Sequence, residues 1–408
     1  MLYNLAIYFY LFGVVIASFF SKKVRKMWRG ERQAFDVLKE KVDPEARYIW
    51  FHVASLGEFE QGRPIIEELR EKHPEYRILL TFFSPSGYEV RKNYGGADII
   101  CYLPLDTPIN AIRFLRLVRP VMAFFIKYEF WYNYLHILKY RNVPVYSVSS
   151  IFRPDQIFFR WYGRHYAGVL RCFTHLFVQN EQSRKLLEKL DIRNVSIVGD
   201  TRLDRVLQIK EQSKHLPLIE AFVKDADHVF VAGSSWAPDE DIFIPYFKQH
   251  TSWKVVIAPH VIGEEHLVQI EQALGGDVVR YTRTNAEEAA KARYIIIDCF
   301  GLLSSIYHYG DVAYVGGGFG VGIHNVLEAA VWDVPVIFGP NNKHFQEAQE
   351  LLKCGGGFEI SCNEHFGKLM DNFADDKHYL RFCGNKAGEY VKSQAGATAL
   401  VLDSIAFE

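Results

Sequence analysis

The chain has 408 residues, of which 49% are hydrophobic and 23% are charged, and its formal net charge is −1. These values are typical of a globular protein, and they argue against a disordered chain and against a nucleic-acid-binding protein with a strongly basic surface. The length favours two or three domains.

The amino-terminal segment, residues 1–20, contains no charged side chain, and a helix that crosses a bilayer needs about 20 such residues. The juxtamembrane segment that follows, residues 21–46, is basic. Its first positive charges are Lys22, Lys23, Arg25, Lys26, Arg29 and Arg32. This order predicts a single-pass transmembrane anchor with its amino terminus outside and the remaining chain in the cytoplasm. A helix that lies flat in the membrane interface is the alternative.

Residues 47–205 alternate apolar runs with amphipathic stretches, which predicts a doubly wound α/β domain with a parallel sheet. The polar segment 206–227, which contains Pro217, predicts a linker. A second domain of the same class follows over residues 228–376, and residues 377–408 are predicted to be helices that cross back to the first domain. The predicted strands are Tyr48 to Ala54, Arg77 to Phe83, Asp98 to Leu103, Val121 to Lys127, Val143 to Val148, Leu176 to Gln179, Val195 to Val198, Val229 to Ala232, Val255 to Ala258, Val278 to Tyr281, Ile295 to Ile297, Val312 to Val315 and Val334 to Phe338.

Three charged side chains in the first domain follow predicted strands, where open α/β sheets gather their functional residues. Glu58 starts a helix in HVASLGEFEQGRP, so the helix dipole favours its ionised form, which can accept a proton from an alcohol. The alternative is an acid that only stabilises the helix start. Glu129 in KYEFWYN and Arg202 in GDTRLD can orient a substrate and stabilise negative charge; the alternative is an interdomain salt bridge.

The stretch DVAYVGGGFGVGIHNVLEAAVWDVPVIFGP, residues 311–340, predicts a strand, a glycine-rich turn, a helix from near Asn325 and a second strand. Gly317 and Gly318 lie in the turn, which lets a ligand approach the backbone. The helix start then offers free N–H groups to an anion such as a nucleotide phosphate. Asn325 and Glu328 form a capping box in one interpretation, and Glu328 binds ribose hydroxyls in another; both can hold.

Other polar or flexible groups follow strands of the second domain and predict the remainder of a nucleotide pocket. They are Ser234 and Ser235 in AGSSW, Pro259 and His260 in IAPH, and Phe300, Gly301 and Leu302 in DCFGLL. A single histidine such as His260 is more often structural than catalytic.

No metal or cofactor is assigned from the sequence. Asp239, Glu240 and Asp241 resemble a DxD metal triplet, but they open a helix after Pro238, and the helix dipole explains acids at that position. The six cysteines have no CxxC pair or metal-ligand spacing, and they fit a reduced cytoplasmic compartment.

The segment Phe152 to Phe173 combines arginines with aromatic residues, which suits contact with lipid headgroups or an anionic lipid. Arg153, Arg160 and Arg164 are the predicted contacts with the acceptor or the membrane. The alternative is an amphipathic helix packed on the first sheet.

Taken together, the motifs resemble the 3-deoxy-D-manno-octulosonic acid (Kdo) transferases of glycosyltransferase family 30. The motifs, in chain order, are HVASLGE, KYEFW, GDTRLD, AGSSW, APH, DCFGLL, VGGGFGVGIHNVLEAA and VPVIFGPNNKHFQEA. The resemblance implies the GT-B architecture of two facing Rossmann-like domains. It also implies transfer of Kdo from CMP-Kdo to a lipid A precursor at the cytoplasmic face of the inner membrane, next to its anionic lipids.

The resemblance gives roles to individual residues. Glu58 matches the family's general base, Glu129 an acid that helps stabilise the transition state, and Arg202 its basic partner. The matched CMP contacts are Pro259, His260, Phe300, Gly301, Leu302, Asn325, Val326, Leu327 and Glu328. The chain departs from the family pattern at Lys127, where an acid is usual, at Asp200 for Asn, at His260 for Arg, and at Leu302 for an acid.

The implied mechanism is an inverting displacement in which Glu58 deprotonates an acceptor hydroxyl that attacks the anomeric carbon of Kdo opposite CMP. Arg202 and the helix start at Asn325 stabilise the charge on the departing phosphate. The alternatives are a membrane-associated GT-B transferase that uses a UDP-sugar, and a non-catalytic nucleotide-binding scaffold at the membrane. The sequence does not indicate the number of Kdo residues added, the preferred acceptor or the oligomeric state.

Overall fold

The computed structural model describes residues 2–407, and of Leu2 and Arg164 it describes the backbone only. The chain divides into two compact units: unit 1 comprises residues 1–205 and 395–408, and unit 2 comprises residues 206–394. Each unit is built on one seven-stranded sheet. The prediction of two α/β domains is therefore confirmed.

Both sheets are parallel throughout, and most of their strands are buried over most of their length. Buried parallel strands read as continuous apolar runs, which is why the sequence reveals them. The strands of unit 1 are β1 Tyr48–Val53, β2 Arg77–Phe82, β3 Ile99–Tyr102, β4 Met122–Ile126, β5 Val145–Ser150, β6 His175–Val178 and β7 Val195–Ile197. Those of unit 2 are β8 His228–Ser235, β9 Trp253–Pro259, β10 Val278–Arg280, β11 Tyr294–Ile296, β12 Val312–Val315, β13 Val336–Phe338 and β14 Gly357–Glu359.

Helices cover the faces of both sheets, and several begin at residues whose side chains cap them. Ser21, Thr107 and Asn180 each accept a hydrogen bond from an amide in the first turn of their helix. The helices are α1 Leu2–Phe20, α2 Lys22–Lys41, α3 Leu56–Lys72, α4 Pro85–Arg91, α5 Pro108–Val118, α6 Tyr132–Tyr140, α7 Arg164–Ala167, α8 Glu181–Glu188, α9 Arg202–Glu211, α10 Pro217–Val223, α11 Ala237–Gln249, α12 Glu264–Leu274, α13 Ala286–Lys291, α14 Leu303–Ile306, α15 Leu327–Ala330, α16 Gln346–Cys354, α17 Asn363–Asp375, α18 Lys377–Gln394 and α19 Ala397–Asp403. Short 3₁₀ turns lie at Ile157–Phe159, Trp161–Gly163, Gly168–Cys172, Tyr281–Arg283 and Tyr307–Tyr309.

Alternate residues of each unit 1 strand enter separate cores on the two sheet faces. Trp50 and Phe125 belong to one core, and Phe51 and Phe124 to the other. The second core also receives Val401 and other side chains of α19. Unit 1 is thus a three-layer α/β/α domain, as the period-2 direction of side chains in a strand requires.

Some elements differ from their predicted form. Strand β14 was missed because it has only three residues and follows two glycines. The segment predicted as a linker, 206–227, contains the end of α9 and all of α10, and it groups with unit 2. Helix α18 also groups with unit 2, whereas the chain from Ala395 onward groups with unit 1, where Asp204 accepts hydrogen bonds from the amides of Gly396 and Thr398.

The segment Phe152 to Phe173 is a series of short helical turns rather than the continuous amphipathic helix considered above. Its aromatic side chains still contribute to the core, because Phe152 and Phe158 are buried. The short turns let aromatic side chains point in several directions, so some of them remain exposed: Trp161 is 87% exposed and Tyr162 is 62% exposed.

Glu31 of α2 is a buried carboxyl in unit 1, only 4% exposed, and its Oε1 atom has no hydrogen-bond partner among residues 2–407. Burial raises the pKa of Glu31 to about 8, and a hydrogen bond from the backbone of Leu105 opposes this shift. A carboxyl group whose pKa is raised by folding binds its proton more tightly in the folded state than in the unfolded state. The stability that comes from this tighter proton binding is fully present below the pKa that Glu31 has in the unfolded chain, and it is lost as the pH rises through the folded-state pKa of about 8.

We predict that Glu31→Gln removes this pH dependence. The variant should gain stability relative to the parent chain as the pH rises from 5 to 8.5, by an amount on the order of 3 kcal/mol, because a neutral amide has no proton to lose. Chemical denaturation in detergent at both pH values measures the difference. Glu40→Gln, at an exposed position of the same helix, is the matched control. An equal effect of Glu31→Gln at both pH values would contradict the prediction.

Candidate active site

Each sheet has one point at which the strand order reverses, and ligands of open α/β sheets bind beside it. In unit 1 the order is β3-β2-β1-β4-β5-β6-β7, so the reversal lies between β1 and β4. In unit 2 the order is β10-β11-β9-β8-β12-β13-β14, so it lies between β8 and β12. Glu58 follows β1, Glu129 follows β4, and the glycine turn follows β12. Other residues that the sequence singled out follow other strands: Arg202 follows β7, His260 follows β9 and Phe300 follows β11.

Glu58 lies in the first turn of α3, directly after β1. Its Oε2 atom accepts a short hydrogen bond from the Ser55 hydroxyl, and its Oε1 atom lies 3.8 Å from the ammonium nitrogen of Lys127, which follows β4. The Glu58 side chain is 16% exposed. The carboxylate is therefore oriented by two neighbours while part of it remains open to a substrate.

Glu129 is held from two sides. Its Oε2 atom is 3.0 Å from Nε2 of His52 and accepts a hydrogen bond of 2.7 Å from the Trp131 indole. An ionised carboxylate only accepts hydrogen bonds, so His52 carries its proton on Nε2 in this pair. The other ring nitrogen of His52 is 2.9 Å from the Thr81 hydroxyl, which fixes the ring. Glu129 is thus a rigidly placed negative charge with a side chain 12% exposed.

Arg202 is anchored by the acid two positions before it. Its Nε and Nη2 atoms donate to Oδ2 of Asp200 at 2.9 and 2.7 Å, and Gln61 donates to Oδ1 at 3.0 Å. Burial alone would raise the pKa of Asp200, but the charge and hydrogen bonds of Arg202 outweigh it and lower that pKa. The pair is therefore ionised, and the guanidinium is held in one orientation.

The charged side chains of Glu58, Arg202 and Arg153 lie in one region of unit 1, around the hydroxyl of Tyr128. Burial is the main cause of the raised pKa of its hydroxyl, and the charges of Arg153, Glu58 and Arg202 also act on it. The structure therefore brings Glu58, Arg202 and Arg153 within electrostatic range of one phenol.

Residues with a strained backbone lie at or next to the ends of strands β4, β5 and β8. Lys127 after β4, Ser149 at the end of β5 and Ser234 at the end of β8 have φ angles of 67°, 53° and 53°, in the left-handed region that residues other than glycine rarely adopt. Such conformations persist only where the surrounding structure enforces them, and they are frequent at functional sites.

The glycine turn of unit 2 is packed against neighbouring backbone. A Cβ atom on Gly316 would approach the Ser234 carbonyl to 2.3 Å, and one on Gly318 would approach the Gly339 backbone to 2.5 Å. Gly317 has a φ of 93°, and its amide donates to the buried carboxylate of Asp239. The first glycines of the turn therefore allow close packing of loops, whereas Gly320 faces open space.

The helix after this turn is much shorter than expected. It covers only Leu327–Ala330, because the chain turns at Asp333, with a φ of 59°, before the Val334–Pro335 pair. Its dipole is correspondingly small. Asn325 accepts a hydrogen bond from the amide of Leu327 and donates one to Glu328, so the two side chains do interact as a local cap.

Free backbone donors remain beside this turn. The amides of Gly318, Asn325 and Val326 have no acceptor among residues 2–407, in contrast to those of Gly316, Gly317 and Gly322. Unpaired amides clustered in a turn attract anions, whatever the length of the following helix.

Three rings stack beside the turn. Trp236 lies 4.7 Å from His260 and His260 lies 4.4 Å from His324, measured between ring centroids. The Trp236 indole donates to Nε2 of His324 at 3.2 Å. Burial, and then the nearby His260, lower the pKa of His324 to about 4, so this ring is neutral at neutral pH. His260 contacts both of the other rings and is the exposed member of the group, so a base or a sugar would meet the group at this ring.

The remaining candidates of unit 2 have varied surroundings. The Ser235 hydroxyl is fully buried and donates to Glu240 at 2.8 Å, so this side chain supports the fold. Phe300 and Gly301 are exposed, and Leu302 precedes α14. Pro259 ends β9 and is buried.

The acidic triplet supports the fold. Asp239 accepts hydrogen bonds from the Trp236 amide and the Tyr314 hydroxyl as well as from Gly317. Glu240 lies 2.9 Å from His266. Among residues 2–407, no three His, Cys, Asp or Glu side chains are grouped as metal ligands.

Arg153 and Arg160 are exposed on unit 1, and the side chain of Arg164 lies outside the described part of the chain. Sequence reasoning missed His52, Tyr128, Trp236 and His324 as site residues, although all four lie within motifs or next to predicted strand ends. Their partners are 24 to 88 positions away in the sequence, so only the strand order brings them together.

We predict that Gly318→Ala destabilises unit 2 by about 1–3 kcal/mol, because the new methyl group would overlap the Gly339 backbone. Gly320→Ala, two positions away in open space, is the control and should change stability by less than about 0.5 kcal/mol. Denaturant unfolding measures both. Equal stability of the two variants would show that the turn is not tightly packed.

Comparisons with known proteins agree on one family. Residues 28–205 match the family described as 3-deoxy-D-manno-octulosonic-acid transferase (kdotransferase). The 3-deoxy-D-manno-octulosonic acid transferase of Aquifex aeolicus is 28% identical over 76% of this chain and 82% of its own length. That of Haemophilus influenzae is 24% identical over 88% of this chain and 87% of its own length.

The fold comparison points to the same architecture. The crystal structure of UDP-GlcNAc 2-epimerase from Neisseria meningitidis, bound to UDP-GlcNAc, has a TM-score of 0.60 to this chain at 14% identity, and covers 88% of this chain and 99% of its own. This similarity concerns the fold alone, and with two parallel Rossmann-like sheets it identifies the GT-B class. Sequence and fold together show a glycosyltransferase whose residues 28–205 match the 3-deoxy-D-manno-octulosonic-acid transferase family and whose relatives of that name align over most of the chain.

Proposed function

We propose that this enzyme transfers Kdo from CMP-Kdo to a lipid A precursor by a single inverting displacement, with Glu58 as the general base. The main support is the position of Glu58 at the strand-order reversal of unit 1, oriented by Ser55 and Lys127 and still partly open. Lipid A acceptors lie in the inner membrane, so the catalytic units would work at its cytoplasmic face.

In this proposal Glu58 removes the proton of an acceptor hydroxyl as that oxygen attacks the anomeric carbon of Kdo. Lys127 places a positive charge 3.8 Å from Oε1 of Glu58, and the Ser55 hydroxyl donates to Oε2, so the two neighbours together orient the carboxylate toward an incoming hydroxyl.

Charge stabilisation comes from two groups of donors. Arg202, held by Asp200, offers a fixed guanidinium for the phosphate or the Kdo carboxylate. The unpaired amide of the partly exposed Asn325 offers a neutral donor to the single phosphate of CMP. A phosphate that leaves with its charge stabilised needs no general acid, so no second catalytic carboxylate is required. Glu129 is instead held in one position by His52 and Trp131, where its carboxylate contributes to the charge of the site.

The rest of the donor contacts belong to unit 2. Glu328 accepts a hydrogen bond from the side chain of Asn325, whose backbone amide is one of the proposed phosphate donors. The carboxylate of Glu328 can therefore bind the ribose hydroxyls of the same nucleotide. Ser234, Pro259, His260 and the loop at Phe300, Gly301 and Leu302 would surround the cytosine, with the exposed His260 ring as a stacking surface. Arg153 and Arg160 would bind the acidic groups of the acceptor.

We expect Glu58→Gln to lower the transfer rate at least about 100-fold while CMP-Kdo still binds, because the amide keeps the shape but cannot take a proton. Single-turnover assays with CMP-Kdo and a tetra-acylated lipid A precursor measure the rate, and calorimetry measures binding. Glu71→Gln, at an exposed position of α3, is the control and should transfer normally. Near-normal turnover of Glu58→Gln would exclude the proposed base.

The nucleotide preference is a separate expectation. CMP should stabilise the enzyme by about 2.7 kcal/mol at a hundredfold excess over its Kd, whereas UDP, with a second phosphate, should have a much smaller effect. Thermal unfolding with each nucleotide separates them. Stronger stabilisation by UDP would favour the UDP-sugar transferase considered above.

A further inference from the structure

The amino-terminal helix α1 is attached to the body of unit 1 at its very first residues. The Tyr3 hydroxyl donates to Oδ2 of the buried Asp106 at 2.7 Å, and Nδ2 of Asn133 donates to Oδ1 of Asn4 at 2.8 Å. The Tyr3 ring also stacks on Tyr166 at a centroid distance of 5.7 Å. The amino end of α1 is therefore on the same side of any membrane as these residues.

The other end of α1 contacts α2, which itself packs on β3 and α5 of the same unit. Ser18 is only 8% exposed, and Nε of Arg25 in α2 donates to its carbonyl at 2.8 Å. A helix of 19 residues is about 28 Å long, close to the thickness of the hydrocarbon core. A helix that crossed the bilayer would separate its two ends by this thickness, whereas both ends of α1 contact unit 1.

Helix α2 runs back along α1. After the break at Ser21 the two helices pack together, and Glu31 of α2 lies near enough to the Tyr10 hydroxyl to act on it. The charged side chains of α2 thus accompany α1 over much of its length. They include Lys22, Lys23, Lys26, Arg29 and Arg32. A hairpin with so many charges is costly to insert across the hydrocarbon.

The face of α1 that points away from the body is apolar and exposed. Phe9 is 70% exposed, Phe12 66%, Phe19 71% and Phe20 86%. The turn with Trp161 and Tyr162 lies near the amino end of this face, because Tyr166 stacks on both Tyr3 and Phe158. Tryptophan and tyrosine are the residues that favour the headgroup level of a bilayer.

Positive charge borders this apolar surface on both sides. Lys22 and Lys23 follow the carboxyl end of α1, and Arg153 and Arg160 flank the aromatic turns near its amino end. An apolar stripe with a basic border matches a membrane of anionic phospholipids, in which the acyl chains meet the stripe and the headgroups meet the cations.

We propose that α1 lies in the plane of an anionic bilayer, with Phe9, Phe12 and Phe19 directed into the acyl boundary, and that it does not cross the membrane. The amino terminus then stays on the cytoplasmic side with unit 1. The proposal replaces the single-pass arrangement expected from the sequence, and it is independent of the catalytic role of Glu58.

The location of the amino terminus tests the proposal. A cysteine is added after Met1, the partly exposed thiols Cys299, Cys354 and Cys362 are changed to Ser, and the full chain is produced in a Gram-negative host. A membrane-impermeant maleimide is applied to intact spheroplasts, and labelling is compared with the denatured protein. Ser213→Cys, exposed in unit 2, is the cytoplasmic control. We expect both cysteines to react only after lysis. Labelling of the amino-terminal cysteine in intact spheroplasts would overturn the proposal.

Vesicle flotation tests the binding face. Phe9→Ser with Phe12→Ser should lower the bound fraction about tenfold on vesicles with anionic phospholipid, and the parent chain should bind neutral vesicles more weakly. Phe382→Ser with Leu400→Ser, two exposed apolar side chains elsewhere, is the matched control and should bind normally. Unchanged binding of the first pair, or equal binding to neutral vesicles, would contradict the proposed surface.

Discussion

The parallel pairing of β1 with both β2 and β4 is the constraint on which the candidate site of unit 1 depends. Because both neighbours run in the same direction as β1, the loops after β1 and β4 leave the sheet at the same edge. The chain turns to opposite faces on either side of this point, so a crevice is left between the loops. Lys127 and Glu129 lie in the loop after β4, and Glu58 lies in the first turn of α3, which begins directly after the loop that follows β1.

The polar groups of this edge are supported from beneath by buried hydrogen bonds. The Trp50 indole donates to the Thr81 hydroxyl, which is 2.9 Å from His52, and His52 holds Glu129. Buried polar groups that lack partners are costly, so a fully connected chain of this kind keeps its last member in one position. The stability of the sheet is thereby linked to the position of a charge beside the proposed base.

Much of the fold follows from the sequence because buried parallel strands are apolar runs bounded by polar turns. The exceptions have physical causes. Strand β14 is too short to show a pattern, and α15 ends after four residues because the chain turns before Pro335. Glu58, Glu129 and Arg202 were singled out from their place after predicted strands, and their catalytic roles stay predictions. The link between His52 and Glu129 joins residues 77 positions apart and depends on the strand order, which no local pattern reports.

For helix α1, too, the composition of the sequence predicts a different arrangement from the one that the contacts of the structure indicate. Composition makes residues 1–20 suitable for crossing a membrane, whereas the contacts of Tyr3 and Asn4 with the body of unit 1 and the packing of α2 on α1 indicate otherwise.

For the chemistry, the most direct test is the anomeric configuration of the Kdo residue in the product, determined by NMR against that of CMP-Kdo. A single displacement assisted by Glu58 predicts inversion, whereas retention would require a covalent or otherwise two-step route and would contradict the account.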